Sequence, residues 1–89
     1  VSHFTATFAD VSGLDAGNDV RISGVQVGKV EAIRLDGRTA KVDFTVLNAH
    51  PLYRNTIAAV RYQNLLGQRY VELVQPPAAG DRLPTGSAI

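Results

Sequence analysis

The sequence of 89 residues contains no cysteine, no methionine and no tryptophan. Without cysteine the chain has no disulfide, no thiol nucleophile and no cysteine-ligated zinc site. Nine basic residues stand against eight acidic ones, for a formal net charge of +1. Such a balance excludes the basic field that nucleic-acid binding needs. The longest apolar run covers only residues 57–60, whereas a helix that crosses a bilayer needs about 20 apolar residues.

The residues that are abundant favour a small β domain. The chain is 45% apolar and 19% charged, as is usual for a folded protein, and its length suits one domain. Valine, isoleucine and threonine together number 21, and their branched side chains pack best on a pleated sheet. Because the chain begins at Val1 without an initiator methionine or a signal-peptide pattern, we expect the natural chain to extend upstream.

Alternation of apolar and polar residues predicts the strands. Over residues 39–47, Ala40, Val42, Phe44 and Val46 fall on one face, which is typical of a half-buried antiparallel strand. Residues 29–35 alternate less regularly, so either both faces are covered there or a bulge shifts the register. The other predicted strands are residues 3–9, 20–22, 56–63 and 69–74, with a short final strand within 83–89.

Turn residues separate these strands. Asp36-Gly37 lies between two of them and is a strong signal for a tight hairpin turn. Pro76-Pro77 ends the strand before it, because proline cannot donate to a strand ladder. No helical stripe of 10–12 residues is present. Six or seven short strands without helices predict a small barrel or sandwich.

The polar residues give little support for catalysis or metal binding. His3 and His50 are far apart in the sequence and have no acidic or histidine neighbour at ligand spacing, so we expect them to be solvated or locally hydrogen-bonded. Asp10, Asp15 and Asp19 flank a turn-rich segment and are expected to bond nearby backbone N–H groups. We therefore expect no enzymatic activity, no cofactor and no metal.

The run from Gly24 to Lys29 resembles a phosphate-binding loop only superficially. Three residues separate its glycines instead of four, and Val30 follows the lysine where a serine or threonine is required. We interpret Gly24 and Gly28 as bracketing a tight connection between two strands, with Val25 and Val27 turned inward.

Leu65 and Leu66 are the anomaly of the sequence. They lie in the loop expected between the last two long strands, and hairpin tips are normally polar. Either this loop folds back to cap the core, or the two leucines are presented to an apolar partner such as a neighbouring subunit or a lipid.

Two segments resemble the mammalian-cell-entry (MCE) domain family. Residues 10–30 contain DVSGL, a glycine at 17 and VRISGVQVGKV, similar to the opening half of that domain. Residues 64–73, NLLGQRYVEL, are similar to its second motif, and residues 80–89 to its closing strand. The matches span nearly the whole chain in the family's order. The motif residues are Gly13, Leu14, Gly24, Val25, Val27, Gly28, Tyr70 and Leu73, together with Leu65, Leu66 and Gly67.

The resemblance implies a fold and a function. MCE domains are small seven-stranded β-barrels that assemble as six-membered rings around a pore. They lie in the periplasm or cell envelope, anchored by an upstream transmembrane helix, and serve ABC-type lipid transporters with a permease and an ATPase. Leu65, Leu66 and Gly67 match the pore loop, whose apolar side chains line the channel. The resemblance thus implies a non-catalytic subunit that passes fatty acids, phospholipids or sterols.

Finer expectations also follow from the resemblance. Gln68-Arg69-Tyr70 and the Pro-Pro-Ala-Ala link at 76–79 are similar to actinobacterial members, in which the ring is built from different MCE subunits. Since such members carry a helical region after the barrel, we expect this to be a domain excised from a longer chain. The alternatives are a host-cell adhesion or invasion domain, after which the family is named, and a structural spacer in the ring.

Overall fold

The computed structural model describes residues 1–47, 50–62, 68–75 and 80–89. These residues form six strands and no helix. The strands are β1 (Ser2–Phe8), β2 (Asp19–Ile22), β3 (Val25–Asp36), β4 (Thr39–Val46), β5 (Ile57–Tyr62) and β6 (Arg69–Val74). Accordingly, no helix within the described ranges is long and apolar enough to span a membrane.

All six strands belong to one curled sheet in the order β1-β4-β3-β2-β6-β5. Neighbouring strands are antiparallel except for β2 and β6, which run parallel through the pairs Val20–Val71 and Arg21–Glu72. This parallel pair joins the first four strands to the β5–β6 hairpin. The expected all-β architecture is therefore confirmed, as a half-barrel of six strands.

The C-terminal segment spans the open side of the half-barrel. Leu83 donates its backbone N–H to the Leu52 carbonyl at 2.8 Å, beside the end of the sheet that holds β5, and Ile89 donates to the Thr5 carbonyl of β1 at 2.7 Å. The expected seventh strand within 83–89 is reduced to one isolated bridge, Thr5–Ala88, and a second bridge, Tyr53–Arg82, lies just before this range. Proline at 84 has no N–H to donate, which interrupts a continuous ladder here.

The core lies inside the curl and follows the predicted alternation. In β1 and β4 the inward residues are Phe4 and Ala6 with Ala40, Val42, Phe44 and Val46, all buried. The rings of Phe4 and Phe44 are tilted against each other with centroids 6.0 Å apart. Other strands and loops complete the same cluster with Leu14, Val20, Val27, Val30, Leu52, Val71, Leu73 and Leu83.

The irregular pattern of β3 has its cause in a bulge. Val30 pairs with Phe44 and Ala32 with Asp43, so Glu31 is an extra residue without its own partner. The insertion shifts the register by one residue and returns Ile33 to the face of Val30, opposite Val42. Of the two explanations left open by the sequence, the bulge is confirmed. The tight turn predicted at Asp36-Gly37 is also present, because β3 ends at Asp36 and β4 begins at Thr39.

The interpretation of Gly24 and Gly28 as brackets of one connection was wrong. The turn between β2 and β3 is Ser23-Gly24, with φ angles of 50° and 81°, and positive φ at both central residues is the mark of a type I′ hairpin turn. Val25 then begins β3 and is 63% exposed, while Val27 is buried as expected. Val25 lies at the tip of the hairpin, where it pairs with Ile22, the last residue of β2.

Gly28 lies within β3 and is required by close packing of two strands, not by a turn. It pairs with Val20 on one side and with Val46 on the other. A Cβ atom added at Gly28 would lie 1.7 Å from the Thr45 carbonyl oxygen. The absence of a side chain therefore permits β4 to approach β3 closely at this point.

Candidate functional site

The candidate site is the hairpin of β5 and β6. Leu65, Leu66 and Gly67 of the predicted pore loop lie outside the described residues, which resume at Gln68. What the structure describes is the stem that carries this loop. Its last cross-strand pair is Tyr62–Arg69, so the residues between them, 63–68, form the connection.

Tyr62 and Arg69 close the stem with two contacts. Arg69 Nη2 donates a hydrogen bond to the Tyr62 hydroxyl at 3.0 Å. The guanidinium carbon of Arg69 also lies 4.3 Å from the centroid of the Tyr62 ring, a cation–π geometry. Arg69 Nε is buried and has no acceptor among the described residues. Tyr62 is 66% exposed, so this pair presents an aromatic ring to solvent at the base of the loop.

An ion pair also joins the two strands, one step further from the loop than the Tyr62–Arg69 pair. Arg61 Nε donates to Glu72 Oε2 at 2.8 Å. These residues are diagonal neighbours across the strands, since Arg61 pairs with Tyr70 and Ala59 with Glu72. Arg61 is exposed while the Glu72 carboxylate is 23% exposed. A partly exposed ion pair of this kind adds little to global stability.

Strand β2 packs against the other edge of β6. The Arg21 guanidinium carbon lies 4.7 Å from the centroid of the Tyr70 ring, while Arg21 Nη2 donates to Asp19 Oδ2 at 2.9 Å. Asp19 also accepts from Lys29 Nζ at 3.2 Å. The hydrogen bond from Arg21, assisted by Lys29, lowers the pKa of Asp19. A row of alternating charges thus connects β3 to β2 and to the ring of Tyr70.

The DVSGL segment lies near the same end of the hairpin. Asp10 accepts hydrogen bonds from the Ser12 hydroxyl at 2.7 Å and from the Ser12 backbone N–H at 2.9 Å. These bonds lower the pKa of Asp10, and the positive charge of Arg69 lowers it further. Gly13 follows with a φ of 82° in a turn closed by the Leu14 N–H and the Val11 carbonyl. Leu14 is buried in the core, so this motif anchors a loop beside the stem.

The remaining motif residues of the second segment divide between core and surface. Leu73 is 1% exposed and packs in the core. Tyr70 is half-buried beneath Arg21. These positions hold β6 in the sheet, and neither carries a group arranged for catalysis.

The two histidines do not share a site. His3 Nδ1 lies 2.5 Å from Glu31 Oε1, so it is hydrogen-bonded locally. His50 is half-buried and lines a different cavity from the one that His3 lines. In the part of the chain that the structure describes, no three histidine, aspartate or glutamate side chains are grouped as a metal site.

Sequence reasoning missed the polar residues of the stem, above all Tyr62, Arg69, Arg21 and Glu72. Their one available signal was the placement of arginines and tyrosines on both sides of the leucine loop. That signal is weak, because cross-strand partners in a hairpin can be assigned only when the register of its strands is known. The parallel contact of β2 with β6 brings Arg21 to Tyr70 from 49 residues away in the sequence.

Comparison with known proteins places these features in context. A family model described as "MlaD protein" matches residues 2–76. The "Intermembrane phospholipid transport system binding protein MlaD" of Haemophilus influenzae is 32% identical over 90 aligned positions, which cover 96% of this chain and 54% of that protein. This chain therefore spans about half the length of the curated relative.

A solved structure has the same fold. A chain of the "Acinetobacter MlaFEDB complex in ATP-bound Vtrans1 conformation" superposes with a TM-score of 0.81 at 22% identity. The alignment covers 99% of this chain and 72% of that chain. The half-barrel with its β5–β6 hairpin is thus a fold already seen in a solved assembly.

Proposed function

This chain belongs to the MlaD protein family, and from that premise we propose that it is a non-catalytic, lipid-carrying barrel of an ABC-type lipid transporter. The matched family model covers residues 2–76, which include the two main segments that resemble MCE domains, residues 10–30 and 64–73. The relative in Haemophilus influenzae is named as a phospholipid transport binding protein. Phospholipids are therefore the first cargo to test, with fatty acids and sterols as the other lipid classes.

The observation that carries the proposal is the apolar loop on a polar, rigid stem. Leu65, Leu66 and Gly67 lie in a connection whose base is fixed by the Tyr62–Arg69 pair. Leucines in a ring of such loops would exclude water and offer acyl chains an apolar path. The Arg61–Glu72 ion pair and the Tyr62–Arg69 contacts join the two strands that carry this loop, which supports a passage built from such loops.

The assembly and location belong to the same proposal. We propose a ring of six MCE subunits, identical or different, above a permease and an ATPase. The ATP-bound state named for the Acinetobacter complex supports a partner that uses ATP. We further propose a periplasmic or cell-envelope location, with an upstream helix as the anchor. The transport names of the family and the relative favour this function over host-cell adhesion.

The proposal is tested by making the loop polar in the full-length protein within its transporter. Leu65→Asn and Leu66→Asn are expected to reduce transfer of a fluorescent phospholipid between membranes by about tenfold or more, because an amide without a partner is costly in an apolar passage. The matched control is Leu35→Asn. Leu35 is 84% exposed at the end of β3, so this change should leave transfer unchanged.

Two readouts keep the result interpretable. The circular dichroism spectrum and thermal unfolding of the variants should match the parent, because the proposal places these two leucines in the passage and not in the core. Normal phospholipid transfer by the folded Leu65→Asn, Leu66→Asn double variant would contradict the proposed role of the loop.

A further inference from the structure

A cavity of about 570 Å³ lies at the end of the half-barrel away from the Tyr62–Arg69 pair. It is bounded by the segment before β5, the C-terminal segment and the start of β1, which contribute Leu52, Leu83 and Phe4. All three side chains are buried members of the core cluster. The floor of the cavity is therefore apolar, and its volume is in the range of small-molecule sites.

The rim of this cavity is basic. Arg54 and Arg82 line it together with His50. The two arginines come from adjoining segments, since Arg82 bridges to Tyr53 and the Arg54 backbone N–H donates to the Asp81 carbonyl at 2.9 Å. No carboxylate is among the described residues that line the cavity.

Neither arginine is paired with an acidic side chain among the residues that the structure describes. Five of the basic side chains, those of Arg21, Lys29, Arg34, Lys41 and Arg61, are paired with acids. Within the described residues Arg54 and Arg82 form no ion pair, and Asp81, which precedes Arg82 in the sequence, is exposed and also unpaired. Two uncompensated guanidinium groups over an apolar floor form a surface complementary to an amphipathic anion.

We propose that this cavity binds the anionic head group of an amphipathic small molecule, a phosphate or carboxylate joined to an alkyl chain. Arg54 and Arg82 hold the anion through charge-assisted hydrogen bonds, and His50 supplies a further ring nitrogen at the rim. The first carbons of the alkyl chain lie against Pro51, Pro84 and the small accessible edges of Phe4 and Leu83.

This site is separate from the lipid-carrying loop. In the β5–β6 hairpin, Tyr62 and Arg69 are at the loop end, whereas Ile57 and Val74 are at the other end. Arg54 precedes β5 at that other end. The inference consequently does not rest on the proposed transport function, and either one can fail alone.

The test is a titration of the 15N-labelled protein followed by NMR. The probes are octyl phosphate and octanoate below their micelle concentrations, with octyl glucoside and inorganic phosphate as controls for the tail alone and the head group alone. Octyl phosphate or octanoate should shift the amides of Arg54, Arg82 and Leu83 saturably, and the tighter of the two identifies the head group. Octyl glucoside and inorganic phosphate should bind at least about tenfold more weakly.

Substitutions assign the effect to the rim. Arg54→Gln and Arg82→Gln should each weaken binding by about tenfold, since each removes a hydrogen bond to a charged group. Arg38→Gln is the matched control, because Arg38 is exposed, lacks an acidic partner and lies at the β3–β4 turn away from the cavity. It should bind like the parent protein.

Several outcomes would overturn the inference. These are no saturable shift with either anionic probe, equal weakening by Arg38→Gln, and equal affinity for inorganic phosphate. Tighter binding of a hexaglutamate peptide than of octyl phosphate would also overturn it, because the rim would then be a surface for an acidic protein. The dispersion of each variant's spectrum reports whether it is folded.

Discussion

Replacing Gly28 by alanine probes the packing of the central strands. The new Cβ would lie 1.7 Å from the Thr45 carbonyl oxygen and 2.7 Å from the Thr45 carbonyl carbon. Both atoms belong to the backbone, so no side-chain rotation can relieve the overlap. An ordinary contact requires β4 to move away by roughly 1.5 to 2 Å. The pairs Gly28–Val46 and Lys29–Thr45 lie in the path of that movement.

The expected cost is large for a domain of this size. Overpacking costs about 1–3 kcal/mol, and each backbone hydrogen bond lost through strand separation adds about 1 kcal/mol. We therefore expect Gly28→Ala to lower the free energy of unfolding by about 3 kcal/mol. For a chain of this length that corresponds to a decrease in Tm of about 12 to 24 °C.

Urea unfolding and differential scanning calorimetry measure this loss. The matched control is Gly24→Ala, since Gly24 has a φ of 81° but no atom within 4 Å of an added Cβ. The control bears only backbone strain of about 1–2 kcal/mol. Equal stability of the two variants would refute the close approach of β3 and β4 at Gly28.

Two further predictions concern the polar contacts. Arg69→Gln should accelerate amide hydrogen exchange of Tyr62 and Tyr70 about fivefold to tenfold. The substitution removes a cation–π contact and a hydrogen bond that together contribute about 1–1.5 kcal/mol. The control Arg38→Gln should leave the exchange rates unchanged, and unchanged rates in Arg69→Gln would contradict the structural role of the stem. Asp43 accepts from Arg34 at 2.9 and 3.0 Å and from Thr5 at 2.8 Å, and the Arg34 bonds above all lower its pKa below the ordinary 3.8. The folded-state pKa is the depressed one, so the stabilisation is present above pH 3.8 and is lost as the pH falls below it. Between pH 6 and pH 2.5, the free energy of unfolding measured in urea should fall less for Asp43→Asn than for the parent. Asp81 is exposed and forms no ion pair within the described residues, so Asp81→Asn should lose as much stability between these two pH values as the parent. If Asp43→Asn also loses as much stability as the parent, the Arg34–Asp43 ion pair is not formed.

The sequence predicted the parts of the fold that depend on local patterning. Apolar and polar residues alternate strictly along β4, so Ala40 to Val46 place their apolar side chains on the inward face. Burial of one side of a sheet imposes this period of two residues. The hairpin at Asp36-Gly37 was equally clear, since few residue pairs allow so tight a turn. The irregular pattern of β3 left two explanations open, a strand covered on both faces or a bulge, and only the pairing with β4 decides between them.

What the sequence could not supply were contacts set by long-range pairing. Gly28 looks like a turn residue because the requirement for its missing side chain comes from Thr45 on another strand. Arg21 meets Tyr70 only because β2 lies parallel to β6. The rim of the cavity likewise depends on the C-terminal segment returning to the chain near Tyr53. Leu65, Leu66 and Gly67 lie outside the described residues, so their role stays a prediction from the resemblance, as does the actinobacterial origin.

Photo-crosslinking in the assembled transporter tests the central claim most directly. A photoreactive amino acid is placed at position 65 or 66 of the full-length protein, with position 35 on the exposed end of β3 as the control. On irradiation with phospholipid and ATP present, mass spectrometry should detect lipid adducts at 65 and 66 and none above background at 35. Active transport with no lipid adduct at 65 or 66, or with equal labelling at 35, would contradict the assignment of this loop as the path of the lipid.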